Sequence, residues 1–410
     1  MKTSHLLHLL VSCGAFLAGT TTVPAQDWPQ WRGANRDAKA AGFIAPKTWP
    51  KELTQKWKAT VGLGDASPVV VGDKVFIFTR QEGNEITLCL DAATGMELWR
   101  EKYDSLPATG AAGQHPGPRS SPAVANGKIV TLGVRGTLSC LDAASGKKLW
   151  RKDDFQGAWP KFFTGSSPII VDGLCIAQLG GSANGGIVAY DLGSGEEKWK
   201  WTGDAPGYAS PVLMTVDGTK LIVTQTEKNM VALGAADGKL LWQAAFAPQG
   251  MAYNASTPIL DGQTLIYAGQ GRGAKAVQLE KKADAYAAKE IWSNPDISIQ
   301  FNTPVVKNGS LFGFTASGDF FCLNAGTGKQ AWTSPGTGGR GGYGSMVDAG
   351  LVLLALTPKS QLLVFEPTDK QYTELASYKV AEKATYAYPV VAGNRIFIKD
   401  QDSVTLWTIE

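Results

Sequence analysis

Charge, histidine and long apolar runs are all scarce in this chain, and each scarcity removes a class of function. Only 18% of the 410 residues are Asp, Glu, Lys or Arg, the formal net charge is +3, and lysines and arginines never cluster beyond two or three in a row. Binding along a phosphate backbone needs concentrated positive charge, so nucleic acid is not an expected partner. His5 and His8 fall in the first ten residues, which leaves His115 as the one histidine of the body. A multi-histidine metal centre and a Ser-His-Asp hydrolase are therefore not expected. His115 sits in the long loop LPATGAAGQHPGPR, where exposure or loop packing is its expected role. The five cysteines form no CxxC pair and no Cys/His cluster, so no zinc site is read, and no Asp/Asn-rich loop has EF-hand spacing. Beyond the N-terminus, no apolar run reaches the roughly 18 to 20 residues that a membrane-spanning helix needs.

The N-terminus itself carries Lys2, an apolar run from Leu6 to Ala18, and then TTTVPAQ with Val23 and Ala25 placed for cleavage before Gln26. Residues 1–25 read as an export signal, followed by an N-terminal arm over 26–52 and a single domain over 53–410. The mature protein is expected in the periplasm or cell envelope. A rival reading takes LVSC (Leu10 to Cys13) as a lipobox with a lipid anchor on Cys13. The apolar residues Phe16 and Leu17 continue past that cysteine, which favours cleavage over lipidation.

Glycine and tryptophan are plentiful, at 48 and 13, while blocks of Ala, Glu, Lys and Leu are nearly absent. That balance predicts many short strands joined by glycine turns. A repeat confirms the pattern. Ser/Thr-Pro followed by a β-branched run opens at Ser67, Ser121, Ser167, Ser210, Thr257 and Thr303, with degenerate copies at Ser345 and Tyr388, at spacings of 42 to 54 residues. Eight copies of this length predict an all-β, eight-bladed β-propeller of four-stranded antiparallel blades.

Most copies end in Asp-x-x-x-Gly-x-x-x-Trp, as in CLDAATGMELW and CLDAASGKKLW. Asp91, Asp142, Asp191 and Asn324 open the turn, and Gly95, Gly146, Gly195, Gly238 and Gly328 each stand four residues before a Trp; Gly234 replaces the acid in the fourth copy. The periodic Trp is expected to cover a neighbouring blade, a burial of about 2 to 3 kcal/mol per ring. Cys89, Cys140 and Cys322 occupy the same place in successive copies, and sheets stacked about 10 Å apart cannot bridge them, so these and Cys175 are expected as buried free thiols. The last copy holds only three strands, whereas Leu53 to Thr60 is a strand with no opening of its own. The two chain ends are expected to complete one blade together.

DWPQWRG (Asp27 to Gly33), GPRSSP at Gly117, GYASP at Gly207 and the Asp-x-x-x-Gly-x-x-x-Trp endings resemble bacterial PQQ-like β-propeller repeat proteins, over nearly the whole mature chain. That superfamily includes quinoprotein alcohol dehydrogenases, which bind pyrroloquinoline quinone with calcium, and the non-enzymatic propeller lipoprotein of the outer-membrane β-barrel assembly machine. The adjacent Cys-Cys pair of the dehydrogenases is missing here, and the chain is shorter than those enzymes.

In a propeller the loops from each outer strand to the next inner strand gather around a central funnel, so the residues before each Ser/Thr-Pro converge. Round the ring these are Asp65; Arg119; Phe163 and Thr164; Tyr208; Tyr253 and Asn254; Phe301 and Asn302; Arg340 and Tyr343; and Tyr386. Gln178, Asn184, Gln225 and Gln270 follow the second strands on the same face, and Asp65 with Asp204 is the plausible acidic pair. Aromatic walls with a few polar groups make a small-molecule or peptide pocket; plugging of the ring is the bland alternative. GRGGYG (Gly339 to Gly344) matches a nucleotide-loop pattern by letters, but a strand follows it and not a helix. The expected function is an exported, non-catalytic propeller that binds an envelope protein, peptide or small ligand on its funnel face, with no cofactor. The alternative is a quinone-dependent dehydrogenase with Arg119, Arg340 and the aromatics on the cofactor and Asp65 as proton acceptor.

Overall fold

The computed structural model describes residues 27–283, 285–335 and 342–409. The signal segment, Cys13 and Arg340 lie outside the described residues. Eight four-stranded antiparallel sheets follow one another in chain order, with a single 3-10 turn, Gly110–Ala112, as the only helical element among the described residues. Blade one runs from its inner strand Val69–Val71 through Lys74–Gln81 and Asn84–Asp91 to the outer strand Glu97–Asp104. Blades two to seven repeat that meander over 123–152, 169–201, 212–245, 259–294, 305–334 and 345–379. The eighth takes three strands from 390–408 and receives Thr54–Thr60 as its outermost strand, antiparallel to Ser403–Thr408. The chain ends thus close the ring as expected.

The tryptophan device is more specific than area burial. Each indole reaches into the turn of the next blade: Nε1 of Trp57, Trp99, Trp150 and Trp199 donates to the carbonyls of Ala92, Ala143, Leu192 and Ala235 at 3.0 to 3.3 Å. The glycine of that turn forms the seat. Gly146 has φ +74°, and a Cβ there would stand 2.5 Å from the Trp99 ring. Positive φ and the missing side chain are both used. Asp142 Oδ1 accepts from Ser145 N at 2.8 Å, which fixes the seat's shape. Blade five departs from the rule. Its last two strands, Gly273–Lys282 and Ala285–Asn294, form a hairpin of two ten-residue strands with no glycine turn, and Trp242 of blade four shares a buried cluster with Tyr267, Leu279 and Tyr286 instead. Cys89, Cys140, Cys175 and Cys322 are buried and unbridged.

The Ser/Thr-Pro openings make a second ring, at the hub. Backbone N–H groups of Ser67, Ser121, Ser167, Ser210 and Thr257 donate to the hydroxyls of Ser121, Ser167, Ser210, Thr257 and Thr303, at 2.9 to 3.3 Å. Tyr388 N extends the series by donating to Ser67 Oγ at 2.7 Å, and at blade seven the Tyr388 hydroxyl bonds the Met346 backbone instead. Each proline then holds the inner strand's entry extended without leaving a buried N–H unpaired.

The N-terminal arm is the hub's plug. Trp28 pairs with Val70 of blade one, and Val124 N of blade two donates to Pro29 O. Arg36 donates to carbonyls of Ser167 and Pro168 in blade three and Pro211 in blade four. Trp31 Nε1 donates to Thr257 Oγ1 of blade five, and Arg32 to Thr303 O and Pro304 O of blade six. Ala38 and Ala40 bond to Asp348 of blade seven, and Ile44 N to Asn394 Oδ1 of blade eight. One short segment therefore touches every blade.

Candidate functional site

Above this plug the propeller opens into a funnel of about 410 Å³. Trp31 and Tyr388, edge to face at 5.1 Å, form its floor. The wall is aromatic nearly all the way round. Phe162, Tyr208 and Tyr253 meet one another edge-on or tilted, with Phe162 and Tyr253 at 4.9 Å; across the funnel Phe301 stacks on Tyr343 at 4.5 Å, Tyr343 meets Tyr386, and Tyr386 meets the His115 ring at 4.9 Å. Successive blades contribute one ring each because these residues all precede an inner strand. The 105–119 loop, with its 3-10 turn, supplies the remaining edge through Ala111, Ala112, His115 and Arg119.

The charged groups at the rim are bound to the protein itself. His115 Nδ1 lies 2.7 Å from Asp65 Oδ2, and this bond raises the imidazole's pKa above its usual value against the opposing effect of burial. Arg119 donates to the carbonyls of Phe162, His115 and Ala112, with its pKa lowered by burial. It thereby ties the loop to blade three. Tyr208 OH accepts from Phe162 N at 2.9 Å, and burial pushes its phenol up to about 12.

The structure brings together Arg119, Tyr208, Tyr253, Phe301, Asn302, Tyr343 and Tyr386 around the funnel, with Asp65 at its rim. It turns Phe163 away. At φ +66° this residue points under the loop, stacked on Trp159 at 5.5 Å beside Ala112 and Val134, and Phe162 takes the place on the wall. Asn254 is also removed from the funnel: buried, it donates to Thr226 O and Phe246 O and accepts from Arg272. Asn302 reaches the funnel edge while its amide nitrogen holds Phe314 O and Gly342 O. Gln178 and Gln225 are buried and bonded to backbone, and Asp204 accepts from Thr226, Lys228 N and Asn229 and does not line the funnel with Asp65. The acidic pair read from sequence does not form.

Trp31, Phe162, Tyr388 and His115 are site residues that the repeat pattern did not single out as such. Trp31 belongs to no repeat, and the FF pair gives no rule for which ring faces inward. His115 had only its uniqueness as a signal.

Calcium takes six to eight oxygen ligands, usually including carboxylates. Asp65 is the only acidic side chain lining the described funnel, its carboxylate is shared with His115, and no three His, Cys, Asp or Glu are grouped for a metal among the described residues. This donor set does not match a calcium-linked quinone.

An eight-bladed wheel with Trp–Gly seats and a Ser/Thr-Pro hub places the chain in the class of PQQ-like β-propellers. Residues 83–334 match the family model described as outer membrane protein assembly factor BamB, and the chain belongs to that family. It is 26% identical over 371 residues to the outer membrane protein assembly factor BamB of Burkholderia pseudomallei, covering 86% of each chain. The crystal structure of BamB from Moraxella catarrhalis superposes with a TM-score of 0.65 at 16% identity, over 87% of this chain and all of that one. The quinohemoprotein alcohol dehydrogenase of Comamonas testosteroni superposes at 0.72 and 15% identity, over 93% of this chain and 80% of the enzyme. At such identities the likeness is one of fold.

Proposed function

We propose that this protein is an envelope propeller scaffold that holds a partner protein, peptide or small ligand in its funnel and performs no chemistry on it. The observation that carries the reading is the funnel wall. Six aromatic rings converge from separate blades onto a cavity large enough for a few side chains, while its charged groups, Asp65, His115 and Arg119, are bonded to one another or to backbone carbonyls. Such a wall offers large contact area at low entropic cost and little acid–base reactivity. Kinship with outer membrane assembly factors supports an envelope location and a protein partner.

The test is recovery of partners from envelope extracts by the mature protein and by Tyr253→Ala. Tyr253 sits on the funnel wall, so the variant should stay folded and lose most of the captured material, about tenfold or more for an interface anchor. Unchanged capture would remove the funnel from the binding face. Added pyrroloquinoline quinone with calcium should give no saturable absorption band and no dye reduction with alcohols; turnover would instead establish the dehydrogenase reading.

A further inference from the structure

A second cavity, of about 270 Å³, is formed by the loops around blade four and shares two side chains with the funnel, Tyr208 and Tyr253. Their rings meet nearly at right angles, 5.9 Å apart, and line both hollows as a common ridge. Three loops that precede inner strands bring Pro160, Pro206 and Pro248 to the outer hollow, and the loop after blade four's second strand brings Glu227 and Lys228. Buried Asn254 holds these walls together: its carbonyl accepts from Tyr208 N at 2.8 Å, and its amide donates to Thr226 O at 2.9 Å and Glu227 O at 3.3 Å.

The backbone of this hollow has little to offer a partner. Its prolines have no N–H, and Gly207, Tyr208, Glu227, Lys228 and Ala252 each donate theirs within the protein. An incoming β-strand would find no ladder to join. A polyproline II segment needs none: it packs its pyrrolidine rings between aromatic faces and takes side-chain donors on its carbonyls, having no hydrogen bonds of its own. The Tyr253 hydroxyl, without a hydrogen bond among the described residues, is such a donor on the ridge itself. Charge narrows the choice. Lys161 and Lys228 line the outer hollow and form no ion pair among the described residues, against Glu227 as the one acid on its wall.

Resting on the reading of the funnel as a binding face, we propose that the partner is a protein presenting a proline-rich segment flanked by acidic residues. The segment lies across the Tyr208–Tyr253 ridge as a polyproline II helix, with prolines in both hollows and an acidic end at Lys161 and Lys228.

Calorimetric titration of the mature protein with three blocked decapeptides separates conformation from charge. The first has six prolines between pairs of aspartates; the second replaces the prolines with alternating glycine and serine; the third replaces the aspartates with lysines. The first is expected to bind about tenfold more tightly than the second, whose flexible chain must be ordered on binding, and about three- to tenfold more tightly than the third. Lys161→Glu combined with Lys228→Glu should reverse the order of the first and third peptides, a reversal that misfolding would not produce. No binding of the first peptide to the unaltered protein, equal affinity for the second, or preference for the third overturns the proposal. If in those cases Tyr253→Ala still abolishes capture of envelope partners, the funnel reading stands without it; if capture is also unchanged, both fall.

Discussion

The outer wall and the hub of this propeller are built by opposite rules. On the wall, one device recurs: an indole from one blade rests on a glycine of the next and bonds a carbonyl beside it, as at Trp57, Trp99, Trp150 and Trp199. At the hub, equivalent positions carry Asp65, Arg119, Phe162, Tyr208, Tyr253, Phe301, Tyr343 and Tyr386, no two neighbours alike in full environment. Repetition serves the contacts that every blade must make; divergence falls where the blades face a common space. On the proposed function, the same chain separates stability from recognition by radius.

The sharpest break of this contrast is at the wall. Gly146 and Gly127 have nearly the same φ, +74° and +69°, but only Gly146 carries an indole where a side chain would go. Gly146→Val should cost about 3 to 5 kcal/mol in denaturant unfolding and Gly127→Ala about 1 kcal/mol, with ligand capture by the surviving folded protein unaltered. Equal costs would show that backbone conformation alone, and not the seat, explains the repeated glycine.

A smaller effect is expected at Lys399, which lies on the hub side of blade eight. Its ammonium is buried, donates to Gly64 O at 2.6 Å and Asp400 O at 3.1 Å, and desolvation pulls its pKa down to about 8. With the folded value below the unfolded one, the unfolded chain holds more protons between about pH 8 and 10.5. Stability should rise across that window, by about 2 to 4 kcal/mol, and be level below it. Lys399→Met should flatten the rise relative to the parent protein; an unchanged slope would assign it to other groups. The smallest stability effect belongs to the funnel wall. Phe301→Ala should shift unfolding by less than about 1 kcal/mol while reducing partner capture, and a large loss of stability would mean that the aromatic ring plugs the wheel instead of serving a ligand.

Blade number, closure by Thr54–Thr60 and the wall tryptophans were legible because periodic positions report periodic contacts. The funnel was legible in outline, since loops before inner strands must converge. What escaped was set by single, unrepeated geometry. The left-handed turn at Phe163 decides which of two phenylalanines faces inward, and nothing in FF encodes it. Asn254 and Gln178 read as ligand-facing polar groups, yet buried backbone carbonyls claimed their amides first. The arm's passage past all eight blades depends on Arg32 and Arg36 finding carbonyls far along the chain, contacts that no local pattern announces.

That passage sets an order of events during folding. Ile44 bonds Asn394 across 350 residues, and Thr54 pairs with Thr408, so neither the plug nor the last sheet has all its partners until almost the entire polypeptide has been delivered. Closing such distant loops is slow. Seven blades are local meanders that need no distant partner, so what waits for the last strands is the seal of the wheel, which turns a row of separate sheets into one cooperative unit.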